Sequence, residues 1–336
     1  MRRPPSSGRV RAAGLAAAGL AAAGLLGGLA GARALARFRA ERDAATARLA
    51  ARGRLVATRR GPIEYAEAGE GPPVLVIHGA AGGFDQGLEV AHDLVAAGYR
   101  VIAVSRFGYL GTPMPPGGAS AADQADAHAA LLDALGIEAA IVMAVSAGAR
   151  SAIALAADRP ERVRALLLVA PAVDAPGARP RIAETPPSRA ALALAESGSD
   201  LAFWAAMRVA RPALLRMMGV PARVEARASP RERARIDRLM RTAFPVAPRA
   251  AGIAADARGA EPPPLDRVRC PTLIVTATDD LFHTLPGARR AAATIPGAAL
   301  IVVRSGGHLL VDRRLELRGA ALAFLARQGL EGAPDA

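Results

Sequence analysis

Six short, nearly continuous apolar runs constrain this chain more than any other feature. They are PVLVIHG (73–79), YRVIAVSR (99–106), AAIVMAVS (139–146), VRALLLVAP (163–171), PTLIVTATD (271–279) and AALIVVRSGG (298–307). A run without polar alternation suits a strand covered on both faces, as in a parallel sheet flanked by helices. Helical stretches separate most of these runs. LEVAHDLVAAG ends on a glycine, SAADQADAHAALLDALG opens on the N-capping Ser120 and closes on Gly136, and AGARSAIALAADRP stops at a proline. Two further strand candidates, LVATRR and IEYAEAG, precede them and meet at Gly61-Pro62 in a hairpin-like signal. Strand and helix in alternation predict an α/β fold with a mostly parallel, eight-stranded sheet.

The alternation breaks between Asp174 and Pro264. That stretch is Pro-punctuated, helical in pattern and basic, with 15 arginines against nine acids. An insertion of such length after the sixth strand predicts a helical cap over the sheet, with Pro262-Pro263-Pro264 marking the return to the core. The expected organisation is an N-terminal segment (1–36), a basic linker (37–54), core (55–173), cap (174–262), core again (263–328) and a tail (329–336).

The net charge of +13 raises the question of a nucleic-acid or membrane partner. Residues 1–60 hold 13 arginines and two acids, whereas the rest holds 30 arginines against 28 acids. The body therefore carries little basic surplus, and no zinc-ligand spacing or aromatic platform accompanies it. Nucleic-acid binding is not expected. From Ala12 to Ala32 the chain runs 21 residues without a charge, about a bilayer's thickness as a helix. It predicts either a membrane anchor or a signal segment cleaved near the triplets Ala30–Ala32 and Ala34–Ala36, hence a membrane-tethered or exported protein. The single cysteine, Cys270, opens an apolar strand and reads as a small buried hydrophobe.

The stretch MAVSAGAR (143–150) places Ser146 between a strand and a helix. A nucleophile there meets free backbone N–H groups and the positive end of the helix dipole. The tight turn needs small neighbours, and Ala144, Ala147 and Gly148 supply them. His308 follows SGG after the last apolar run, at the strand end where open α/β sheets build their sites. An acid to orient it could come from Asp279, Asp280 or Asp174, each after a strand. The glycine-rich HGAAGGFDQG (78–87) exposes backbone N–H groups at the same edge, so Ala80 and Ala147 could form an oxyanion hole. It holds neither G-K-[ST] nor G-x-G-x-x-G, which argues against a nucleotide loop. Of the other histidines, His78 reads as loop-ordering, His92 and His128 as lying on peripheral helices, and His283 has no defined role.

Together, HGAAGG, SRFGYLGTP, AVSAG, TATDDLF and GGH, in this order across residues 55–328, resemble the α/β-hydrolase family, on its esterase-like serine branch. The resemblance implies Ser146 as nucleophile, His308 as general base and Asp280 as acid. Asp279 competes because Ala277 stands where the family's G-x-x-D motif has glycine. It implies Ala80 ahead of Ala81 as the oxyanion donor. The expected activity is hydrolysis of carboxylic esters or related acyl compounds through an acyl-enzyme, on a small-molecule substrate, with no metal or cofactor. The alternatives are a membrane-tethered binding protein without turnover, or the same triad used for acyl transfer, perhydrolysis or C–C hydrolysis. Phe203, Trp204 and the Met217-Met218 pair are candidates for an acyl pocket.

Overall fold

Eight strands form one sheet in the order β1-β2-β4-β3-β5-β6-β7-β8. They are β1 (Arg54–Thr58), β2 (Gly61–Ala68), β3 (Pro73–Ile77), β4 (Arg100–Val104), β5 (Ala140–Val145), β6 (Val163–Val169), β7 (Thr272–Ala277) and β8 (Ala299–Val303). The computed structural model describes residues 7–173, 193–258 and 262–333, with side chains from residue 28 onward. β2 pairs antiparallel with both β1 and β4, and every later pairing is parallel. All eight predicted strands are present; the six from β3 to β8 are each shorter than their apolar runs, whereas β2 starts two residues earlier than predicted.

The central strands are buried because helices cover both faces. On one side lie α4 (Ala121–Ala134) and α5 (Ala149–Asp158). Ser120 and Asp123 form a reciprocal capping box that starts α4. On the other side are α2 (Phe84–Val90), α3 (His92–Val95) and, after β8, α12 (Arg314–Ala326). The predicted helix LEVAHDLVAAG is thus two short ones, interrupted at Ala91.

The insertion after β6 is helical. Its described part carries α6 (Asp200–Val209), α7 (Arg211–Met217), α8 (Ala222–Arg227), α9 (Pro230–Arg241) and α10 (Ala250–Ala257). α11 (Thr284–Thr294) then links β7 to β8. Asp174, one candidate acid, lies outside the described residues.

The chain divides into two compact units, Met1–Ala47 and Arg48–Ala336. The first belongs to α1 (Ser7–Arg52), which runs on through most of the stretch expected to be a linker. The expected transmembrane anchor is corrected here, and with it the membrane partner and membrane localisation. Among the described residues no helix is long and apolar enough to cross a membrane. Of the uncharged run Ala12–Ala32, the side chains up to Gly27 lie outside the described residues. Its composition explains the misreading: sixteen of 21 residues are Ala or Gly, which bring little apolar area to drive transfer into lipid.

Candidate active site

β3 and β5 are neighbours, whereas the chain's next strand after β3, β4, lies on the other side. This is the point where strand order reverses, and the loops leaving β3 and β5 diverge around a crevice. Ser146 leaves β5 there with φ 51°, a left-handed conformation costing about 1–3 kcal/mol for a residue with a side chain. The turn is packed tightly. A Cβ on Gly148 would stand 2.6 Å from the His78 carbonyl oxygen and 2.7 Å from that of Ile77. A Cβ on Gly79 would lie 3.2 Å from the Ser146 Cβ. Ala144 is fully buried, so the turn accommodates one methyl at the position where glycine is usual.

Ser146 and His308 line one cavity, together with Gly79, Ala80 and Ala81. His308 Nδ1 is 2.8 Å from Asp280 Oδ2, with both residues buried. Asp280 Oδ2 also accepts from the Thr284 hydroxyl at 2.5 Å, and Oδ1 accepts from the Phe282 N–H at 2.8 Å. Burial pushes the Asp280 carboxyl up, but the His308 charge and these hydrogen bonds outweigh it and hold it below the usual carboxylate range. Asp279 does a different job. Its Oδ1 accepts from the N–H groups of Gly306 and Gly307 at 3.0 and 2.8 Å, and its Oδ2 accepts from the Ser305 hydroxyl at 2.8 Å. It orders the loop that carries His308. Phe282 packs edge-on against the imidazole, with centroids 4.4 Å apart.

A cap residue clasps both halves of this pair. The Gly219 carbonyl accepts from Leu281 N–H at 3.2 Å and from His308 N–H at 3.1 Å. A Cβ on Gly219 would stand 2.5 Å from the His308 Cβ.

The loop after β3 is held from behind. His78 Nε2 lies 3.0 Å from the Arg106 backbone N–H, which can only donate, so the ring proton sits on Nδ1 and bonds the Gly79 carbonyl at 2.6 Å. Burial and the Arg106 charge keep His78 well below its ordinary pKa, hence neutral. Arg106 also donates from Nε to the His78 carbonyl at 3.1 Å and from Nη2 to the Gly79 carbonyl at 3.2 Å. In a planar trans peptide, fixing the Gly79 carbonyl on one side aims the Ala80 N–H to the other. Ala81 lines the same cavity, with left-handed backbone at φ 58°. Of the two expected oxyanion donors, Ala80 lines the cavity, whereas Ala147, at the start of the turn into α5, is buried and is not among its lining residues.

Elsewhere Ser151 and His128 are in hydrogen-bond contact, 3.0 Å between Oγ and Nε2. Both are buried, neither lines the cavity, and burial lowers His128 to about 3. The expectation that His128 is peripheral is therefore corrected: it lies inside, between α4 and α5. His92 is on the surface beside Arg314, and His283 caps α11 with left-handed backbone. Met217 and Met218 line the cavity, whereas Phe203 and Trp204 are buried without lining it. Cys270 is buried and its thiol is pushed up to about 11. Sequence reasoning assigned no role to Arg106, Tyr109, Gly219 or Asp256. Only the motif SRFGYLGTP hinted at the first two.

Comparison with known proteins agrees with this geometry. The profile of the alpha/beta hydrolase fold matches residues 72–314. An alpha/beta hydrolase fold protein from Nakamurella multipartita is 33% identical, with a TM-score of 0.60 over 82% of this chain and 99% of that one. A 2-hydroxy-6-oxononadienedioate/2-hydroxy-6-oxononatrienedioate hydrolase from Paraburkholderia xenovorans is 36% identical over 115 residues, 32% of this chain and 39% of the relative. A 2-hydroxy-6-oxo-6-phenylhexa-2,4-dienoate hydrolase from Comamonas testosteroni is 35% identical over 118 residues, 32% of this chain and 40% of the relative. The matches thus span about two fifths of these curated relatives. The chain belongs to the alpha/beta hydrolase fold family and is an enzyme of that fold.

Proposed function

We propose that the protein is a serine hydrolase in which Ser146, His308 and Asp280 cleave the carbon–carbon bond beside a ketone. The observation that carries it is the shared cavity of a left-handed serine and an Asp-oriented histidine. In this reading His308 takes the Ser146 proton as Oγ attacks the carbonyl carbon, and the N–H groups of Ala80 and Ala147 hold the oxyanion. The imidazolium, stabilised by Asp280, then protonates the departing carbon. Water activated by His308 releases the acyl group as a carboxylic acid.

Two relatives named as hydrolases of 2-hydroxy-6-oxo acids favour the carbon–carbon bond over the ester first expected. Such a substrate carries a carboxylate; Arg235 of α9 lines the cavity, where its Nε pairs with Glu232 and its Nη2 donates to the Leu309 carbonyl at 2.8 Å, so only Nη1 is left to meet it. Ester hydrolysis is the second reading. It is supported by the same groups and by the predominantly apolar cavity around Ser146, since an alkoxide leaves without the stabilisation a carbanion requires. The test compares 2-hydroxy-6-oxo-6-phenylhexa-2,4-dienoate with p-nitrophenyl butyrate. A kcat/KM at least tenfold higher for the dienoate upholds carbon–carbon hydrolysis; the reverse order moves the protein to the esterases.

A further inference from the structure

The cavity does not end at the triad. It encloses about 300 Å³ and continues down one face of the sheet. Its floor is two rows of paired strand residues, Val145, Val169 and Val275 in the upper row and Met143, Leu167 and Leu273 in the lower. Met143 is half-buried although β5 is central, so the described helices cover this part of the sheet incompletely.

The walls follow helical spacing. Val90 and Leu94 come from α2 and α3, and Leu317 and Ala321 from α12, one turn apart in each pair. Two independent lengths agree on the depth. Ser146 lies one residue above the upper row and three above the lower, about 10 Å at strand rise. Arg314 to Ala321 is seven residues, also about 10 Å at helical rise.

The acids along this channel are already neutralised. Glu89 pairs with Arg238 at 2.8 Å, and Asp93 accepts two bonds from Arg314 at 2.6 Å. Among the described residues both carboxylates there are paired, the floor is aliphatic, and the walls alternate aliphatic side chains with these paired charges. Arg318, half-buried, lines the wall as well.

We propose that this channel takes a linear apolar arm on the carbonyl that Ser146 attacks. Ten ångströms hold about eight carbons, at about 1.25 Å per extended C–C bond. The inference rests on Ser146 as nucleophile and names the substrate's acyl side for either scissile bond.

The test uses p-nitrophenyl esters from acetate to myristate with the full chain. The expected kcat/KM rises at least tenfold from acetate to octanoate and then levels off. Ala321→Trp, which fills the lower channel, should lower the octanoate-to-acetate ratio about tenfold. Leu317→Trp takes its place if that variant does not fold. A profile highest at acetate, or a ratio unmoved by either folded variant, overturns the channel while leaving the hydrolase reading intact. If no ester turns over, calorimetry with Ser146→Ala protein decides. Methyl octanoate bound at least tenfold tighter than methyl butyrate, and weakened by Ala321→Trp, upholds the channel. Equal affinities overturn it.

Discussion

Arg106, in the loop after β4, and Asp256, in cap helix α10, form a buried two-pronged ion pair, with Nη1–Oδ1 at 2.9 Å and Nη2–Oδ2 at 2.6 Å. The Tyr109 hydroxyl donates to the same carboxylate at 2.6 Å. Since Arg106 also holds the carbonyls of His78 and Gly79, one guanidinium joins the docking of the cap to the aim of the Ala80 N–H. A second buried pair, Arg249 Nη2 to Asp85 Oδ2 at 2.9 Å, fastens the cap to the N-terminal turn of α2.

Asp256→Asn leaves Arg106 charged and buried with half its partner gone, so a loss of about 3–5 kcal/mol is expected in chemical denaturation. Burial pushes the Asp256 carboxyl up, but Arg106 and Tyr109 hold it below the usual range. Its contribution is therefore present above its unfolded-state pKa of about 3.9 and lost as pH falls through the lower folded value. The stability gap between wild type and variant should be full at pH 7 and close in acid. A gap constant down to pH 2 contradicts this.

The two neighbouring aspartates should separate in steady-state kinetics. Asp280→Asn removes the charge that stabilises the His308 imidazolium, and kcat should fall about 10⁴-fold. Asp279→Asn loosens the Ser305–Gly307 loop without touching the imidazole, and a loss of about tenfold is expected. Equal losses would mean that Asp280 has no special role.

Gly148→Ala places a methyl against two backbone carbonyls that cannot retreat without moving β3. It should destabilise the protein by about 1–3 kcal/mol, read from the denaturation midpoint.

These residues also show what the sequence made legible. The eight strands, the cap's position after β6, the turn at Ser146 and the Asp280–His308 contact were readable because each depends on local order: an apolar run, then a turn residue of the right type. Arg106 and Asp256 are 150 positions apart, and nothing in either neighbourhood announces the other. Gly219 carries no motif of its own, yet its carbonyl accepts from the backbone N–H groups of both Leu281 and His308. The channel escaped notice because Leu317 and Ala321 have the spacing of any core-facing helix, and only the assembled sheet leaves Met143 half-buried. The Ala12–Ala32 run has the length and lack of charge of a membrane span, but its Ala and Gly residues bring little apolar area.

Ser151→Ala should leave turnover within about twofold, since its hydroxyl bonds the Gly148 carbonyl at 3.2 Å inside α5, away from the cavity. The loss of that buried hydrogen bond should cost about 1 kcal/mol of stability.

The most direct measurement is labelling of folded wild-type, Ser146→Ala and Ser151→Ala proteins with a fluorophosphonate, followed by peptide mass mapping. The expected result is one phosphonylated residue, Ser146, in wild type and Ser151→Ala, and no label in Ser146→Ala. Label that persists in Ser146→Ala, or that maps to Ser151, contradicts Ser146 as the nucleophile.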